Sequence, residues 1–175
     1  MAASIRPYPS QWERHIVLGG EIFVRPLKPD DEGLIRDLLV HVSKQDLRLR
    51  FFDSLKEFSP RFVARLTDLD YAHAMAFVAI DEISLESLGV VRLRADENHD
   101  TGEYAILLRS ALKGRGLGWS LMQMIIEYAK SEGLKAISGD VLADNTVMLA
   151  MCRSLGFEVK SDPQEHDICN VRLTL

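Results

Sequence analysis

The segment Lys113-Gly114-Arg115-Gly116-Leu117-Gly118 most constrains what this chain can fold into. An apolar run, Tyr104 to Leu108, precedes it, and an amphipathic stretch from Leu117 to Ser131 follows. Alternate glycines between two such segments specify a tight strand-to-helix turn, because glycine lets the backbone hug the turn closely. A turn of this kind leaves N–H groups unpaired at the mouth of a helix, where the positive end of the helix dipole points the same way. One reading is therefore an anion site for a phosphorylated ligand, with Lys113 and Arg115 adding charge beside the amides. The other is a bare turn carrying two solvated cations. The spacing Gly-x-Gly-x-Gly is not the dinucleotide fingerprint, and no Lys-Ser/Thr follows as a P-loop requires.

The remaining pattern sets this turn in an α/β chain. Residues 1–20 read as an arm ending in the Gly19-Gly20 turn, and residues 21–175 as a single domain. Glu21 to Arg25 is a first strand. Asp30 and Asp31 are N-cap candidates for a helix to about Ser43, with Leu34, Ile35, Leu38, Leu39 and Val42 as its buried stripe. Further helices are expected over 44–51 and from Ser59-Pro60 to Leu66. Three closely spaced strands, 74–80, 87–94 and 102–108, predict an antiparallel meander. Then come the helix from Gly116, a strand over 136–141, a helix capped at Asp144-Asn145, and strands at 157–159 and 169–173. The sum is a mixed, mostly antiparallel sheet flanked by helices.

Composition closes off several function classes. The net charge of −5 over 175 residues argues against nucleic acid as the main partner, which needs a basic face. Two cysteines, Cys152 and Cys169, make no disulfide or zinc framework, and the five histidines fall at no ligand spacing, so no metal is expected. No segment approaches the ~20 apolar residues of a membrane helix, and the N-terminus lacks a signal-peptide core. The expectation is a soluble cytoplasmic protein.

Taken together, Lys113 to Gly118, Val141-Leu142-Ala143-Asp144-Asn145 and Leu155-Gly156-Phe157 resemble the GNAT superfamily of N-acetyltransferases. Lys113 stands where that family's loop signature usually begins with Gln or Arg. The resemblance implies that the amides of residues 113–118 cradle the pyrophosphate of acetyl-CoA. It implies also that the strand ending at Leu108 splays from the strand over 136–141 to hold acetyl-CoA, that Ile106, Leu107 and Leu108 bind the pantetheine arm as an added strand would, and that Asn145 touches that arm. Tyr8-Pro9-Ser10, Val24 to Asp31, Leu49-Arg50-Phe51-Phe52 and Asp70-Tyr71 are similar to the acetyltransferase domain of Pat-type protein lysine acetyltransferases. That likeness implies a protein lysine acceptor, with acyl-CoA synthetases as the target class. Small-molecule amine acetyltransferases share the cofactor features, and a catalytically silent CoA-binding sensor would keep the loop as well.

Amine acetylation needs a neutral nucleophile, whereas a lysine of ordinary pKa near 10.4 is almost wholly charged at neutral pH. In related lysine acetyltransferases a glutamate on the strand beside the cofactor takes the proton, which makes Glu103 the candidate base. Glu97 and Asp100 are reserves. Many family members carry a tyrosine that protonates the leaving thiolate, and here Cys152 stands at that place. Its helical spacing with Met148 and Leu155 is equally that of a core residue. Phe51 and Phe52 read as core, and Arg48 and Arg50 as an exposed helix face.

Overall fold

The computed structural model describes residues 5–51 and 60–175. Its strands are β1 (Arg14–Val17), β2 (Glu21–Pro26), β3 (Ala74–Asp81), β4 (Ser87–Ala95), β5 (Thr101–Leu108), β6 (Ala136–Leu142), β7 (Glu158–Ser161) and β8 (Ile168–Thr174). Among the described residues they form one eight-stranded sheet in the order β1-β2-β3-β4-β5-β6-β8-β7. Every neighbouring pair is antiparallel except β5–β6. The helices are α1 (Glu32–Val40), α2 (Lys44–Phe51), α3 (Pro60–Leu66), α4 (Leu117–Ser131) and α5 (Thr146–Ser154). The mixed, mostly antiparallel sheet expected from the strand spacing is the one found.

β3 is central and buried from Ala74 to Ile80, as a strand covered on both faces must be. β4 alternates instead. Gly89 packs toward Leu121 of α4, and Leu93 lies against Gly102 and Leu134 on that same side. Val90 and Arg92 face the opposite way, toward Ile35, Leu38 and Leu39 of α1 and Leu66 of α3. The predicted stripe of α1 thus meets the sheet, with Ile35, Leu38 and Leu39 essentially inaccessible. Each such aliphatic side chain contributes about 1.5–3 kcal/mol on burial.

Two boundaries differ from the sequence reading. α1 stops at Val40, because Ser43 opens the next helix, its Oγ accepting from the Asp46 amide at 3.1 Å. Asp31 does precede α1, but its carboxylate is held by the Arg25 guanidinium at 2.7 and 3.0 Å and by the Lys28 amide, not by the helix. The segment before Gly20 is also docked. Arg14–Val17 pairs with β2, while Trp12 packs against Phe77 and edge-on against Tyr128 of α4. A four-residue edge strand is too short for alternation to announce it.

Candidate active site

β5 and β6 are parallel neighbours over three residue pairs only, Thr101–Ala136, Gly102–Ile137 and Glu103–Ser138. Beyond Glu103 they diverge. β5 continues to pair with β4 as far as Leu108, so its other edge, from Tyr104 to Leu108, turns its main-chain groups toward an opening. Glu103 stands at the last paired position, the apex of the splay. An extended ligand can complete that edge by main-chain hydrogen bonds.

The opening continues into a cleft of about 370 Å³ lined by Ile106, Leu107 and Leu108 of β5, the glycine turn, and Val147, Met148 and Met151 of α5. Gly114 and Gly116 have φ of +82° and +91°, left-handed torsions that close the tight turn expected here. Among the described residues the amides of Gly114, Arg115 and Gly116 make no main-chain hydrogen bond. Gly116 precedes α4 without any side-chain cap, so the donors of the first helical turn are free as well. Successive N–H groups in this conformation form an anion-binding concavity. Gly118 serves packing: a Cβ there would lie 3.2 Å from Leu108 Cδ1 and 3.7 Å from Met151 Cε, so glycine lets the helix start sit down on β5 and α5.

The charged residues of the turn divide. Lys113 lines the cleft, and its Nζ is bound to Asp46 of α2 at 2.6 Å. Asp46 also accepts from the Ser110 hydroxyl. Burial acts to raise the Asp46 pKa, but the hydrogen bonds from Lys113 and Ser110 outweigh it and hold the carboxyl below its usual range. Arg115 is exposed and turns to a separate pocket with Leu18 and Leu112, while the Leu117 side chain is buried in the core. Neither of these two lines the cleft, where Lys113, Gly114, Gly116 and Gly118 do. Asn145 lines the cleft and caps α5, its Oδ1 accepting from the Met148 amide at 3.3 Å. On the opposite rim Arg48 of α2 reaches Asp144 at 2.8 Å. Ion pairs therefore tie α2 to both walls of the opening.

Below this lies a second cleft, about 290 Å³, lined by Glu103, Tyr104, Ile106, Asp140, Leu49 and Arg50 among others. Glu103 is exposed into it; Glu97 and Asp100 do not line it, and Asp100 is paired with Lys135. Cys152 lines neither cleft. It is fully buried, its Sγ 3.2 Å from the Tyr104 hydroxyl, and burial raises its pKa. Tyr104 is itself pushed up, chiefly by burial and then by the neighbouring thiol.

The sequence reading missed Arg50, Asp46, Trp119 and Arg92. Arg50 is not an exposed helix residue: it lines both clefts, and burial together with the charge of Arg92 pushes its pKa down to about 10. The available signal was that α2 has no clean apolar stripe, so charges had to hold it. Phe52 lies outside the described residues.

The sheet, the splay and the glycine turn are those of an acyl-CoA-dependent transferase, and comparison with known proteins gives the family. The profile of the acetyltransferase (GNAT) family matches residues 43–157, and the chain belongs to that family. It is an acetyltransferase, and enzymes of this family use acetyl-CoA as co-substrate. The chain is 30% identical to acetyltransferase PA5475 of Pseudomonas aeruginosa over 166 residues, 94% of this chain and 89% of that protein. It is 27% identical to acetyltransferase Pat of Mycolicibacterium smegmatis over 89% of this chain, which spans about half (46%) of that longer protein. The crystal structure of the GNAT domain of S. lividans PAT superposes with a TM-score of 0.87 at 27% identity, covering 97% of this chain and all (100%) of that domain. Among the described residues no group of three or more His, Cys, Asp or Glu is arranged to hold a metal. No described helix is long and apolar enough to cross a membrane.

Proposed function

We propose that this acetyltransferase moves acetyl from acetyl-CoA to the ε-amine of a protein lysine by direct attack, with Glu103 as general base. The observation that carries the reading is the position of Glu103 at the apex of the β5–β6 splay, exposed into the smaller cleft, which shares Leu49, Arg50, Ile106 and Met148 with the larger one. The amides of residues 113–118 hold the pyrophosphate, and the free edge of β5 at Ile106, Leu107 and Leu108 takes the pantetheine arm. Glu103 accepts a proton from the incoming ammonium, so that the amine lone pair is free. A C–N bond then forms as the C–S bond breaks, with the thioester oxygen stabilised by main-chain N–H groups of that edge. The second amine proton leaves to solvent, and water reprotonates the thiolate. Cys152, sealed in the core, is not given that role.

The protein acceptor is supported by the likeness to Pat and to the S. lividans PAT domain, and the target class we infer is an acyl-CoA synthetase. The test is release of free CoA thiol from acetyl-CoA, with acyl-CoA synthetase protein and a panel of small amines offered side by side. Turnover on the protein, lost in Glu103→Gln, is expected. Turnover confined to small amines would remove the protein acceptor and leave the cofactor chemistry standing.

A further inference from the structure

From β4 to β7 the sheet has one covered face and one open face. On the covered face a Cβ at Gly139 would lie 2.6 Å from Tyr104 Cε1, and Tyr104 in turn meets Cys152 of α5. Residues paired directly across strands share a face. The register therefore sets Arg94, Glu103, Ser138, Arg172 and Glu158 in one row on the open face, crossing β4, β5, β6, β8 and β7. A second row beside it holds Asp140, Asn170 and Lys160. Every charged side chain in these two rows is exposed. Neither row contains an apolar side chain, so no hydrophobic gain draws a helix over them.

The charges on this face are ordered. Its middle is negative, with Glu103 and Asp140 both lining the smaller cleft. Arg94 stands one strand away on one side and Arg172 two strands away on the other. At about 4.8 Å between strands, those steps are about 5 and 10 Å from Glu103. The other charges of the outer strands are already engaged: Asp140 accepts from Asn170 Nδ2 at 2.8 Å, and Lys160 Nζ lies 3.9 Å from Glu158. Among the described residues neither Arg94 nor Arg172 has a carboxylate within ion-pair distance. The face thus reads cation, anion, cation, which is the complement of an acid, a lysine and an acid. Side chains on one side of an extended segment recur about every 6.7 Å. Acids two residues before and two residues after a lysine held at Glu103 fall within reach of the two long arginine side chains, which pair well with carboxylates.

We infer that the acceptor is an exposed protein segment lying across this open face, with its lysine at Glu103 and an Asp or Glu two residues to either side paired with Arg94 and Arg172. This rests on the acetyl-transfer reading of Glu103 and names the segment on which it acts. A row crossing five strands matches the width of a protein segment, whereas a small amine would fill only the cleft.

Matched peptides test the row: Glu-x-Lys-x-Glu against Gln-x-Lys-x-Gln, and the two forms with a single Glu on one flank. The double-acid peptide should be favoured by about fivefold in kcat/KM, chiefly through KM, and added salt should shrink the difference. Arg94→Glu and Arg172→Glu should each remove the preference for the acid on one flank and keep it on the other, while the KM for acetyl-CoA stays within about twofold. Arg94→Gln and Arg172→Gln give the same reading should a reversal fail to fold. A preference that follows peptide charge wherever the acid stands, or that survives both reversals, would overturn the row. Anisotropy of a labelled Glu-x-Lys-x-Glu peptide reads binding without turnover. Binding that needs both arginines, with no acetyl transfer, would fail the proposed function and keep the row. Acetyl transfer at equal kcat/KM to the double-acid and double-amide peptides would keep the proposed function and sink the row.

Discussion

The two clefts that meet at Arg50 are made of different materials. The larger one presents main-chain N–H groups at Gly114 to Gly118, the unpaired edge of β5, and the apolar side chains of Met148 and Met151. The smaller one carries charged side chains from three elements: Glu103 of β5, Asp140 of β6 and Arg50 of α2. A site made of backbone depends on torsions and helix ends, which tolerate most side-chain changes but not the loss of a glycine. A site made of side chains can be re-specified one residue at a time. That contrast suits a fold in which one co-substrate is held constant and the acceptor differs between members.

If the contrast is right, Glu103→Gln gives the largest effect and touches only one cleft. It should lower kcat by about 10²–10⁴-fold while the acetyl-CoA Kd, read by calorimetry, stays within about twofold. A Kd that rises in step with the loss of kcat would show that the clefts are not separable. Gly116→Val should do the reverse. Its φ of +91° is closed to a β-branched residue, so strain of about 1–2 kcal/mol or more falls on the anion turn. The expected result is an acetyl-CoA Kd raised about tenfold, with kcat at saturation largely kept.

Cys152→Ala sharpens the assignment of the leaving group. A buried thiol bonded to Tyr104 should cost about 1–2 kcal/mol of stability when removed, with kcat changed less than about twofold. A kcat loss comparable to that of Glu103→Gln would restore Cys152 as an acid. The smallest effect is expected at Asp46→Asn. Because the Asp46 pKa is held down in the fold, its contribution to stability is present above the ordinary carboxylate range and is lost as pH falls through its folded value. The mutant should therefore melt below the wild type at pH 7, and the gap should close on acidification below about pH 4. Releasing Lys113 from Asp46 should also lower the acetyl-CoA KM by about two- to threefold at low salt, an effect that added salt screens. An unchanged KM would mean that Lys113 serves the rim and not the phosphate.

The turn, the helix that follows it and the strand before it were legible because each depends on residues close in sequence. Gly114 and Gly116 close the turn, and α4 runs from Leu117 to Ser131 on the face read from Leu117, Leu121, Ile125 and Tyr128. What the charges do was less legible. Lys113, Arg115 and Arg50 looked alike as cations on a turn or a helix, yet one is latched to Asp46, one faces another pocket and one is drawn between two clefts. Long side chains reach across elements, and sequence spacing holds no information about which distant carboxylate or cavity they meet.

By itself the sequence determined the mixed sheet, the glycine turn and the helix after it, since hydrophobic period and turn chemistry act over a few residues. Only the tertiary structure decided at which residue β5 and β6 part, that α2 is tied across the opening, and that Cys152 is sealed from it. Those facts depend on strand pairing and burial between residues distant in the chain, where local propensity has no reach.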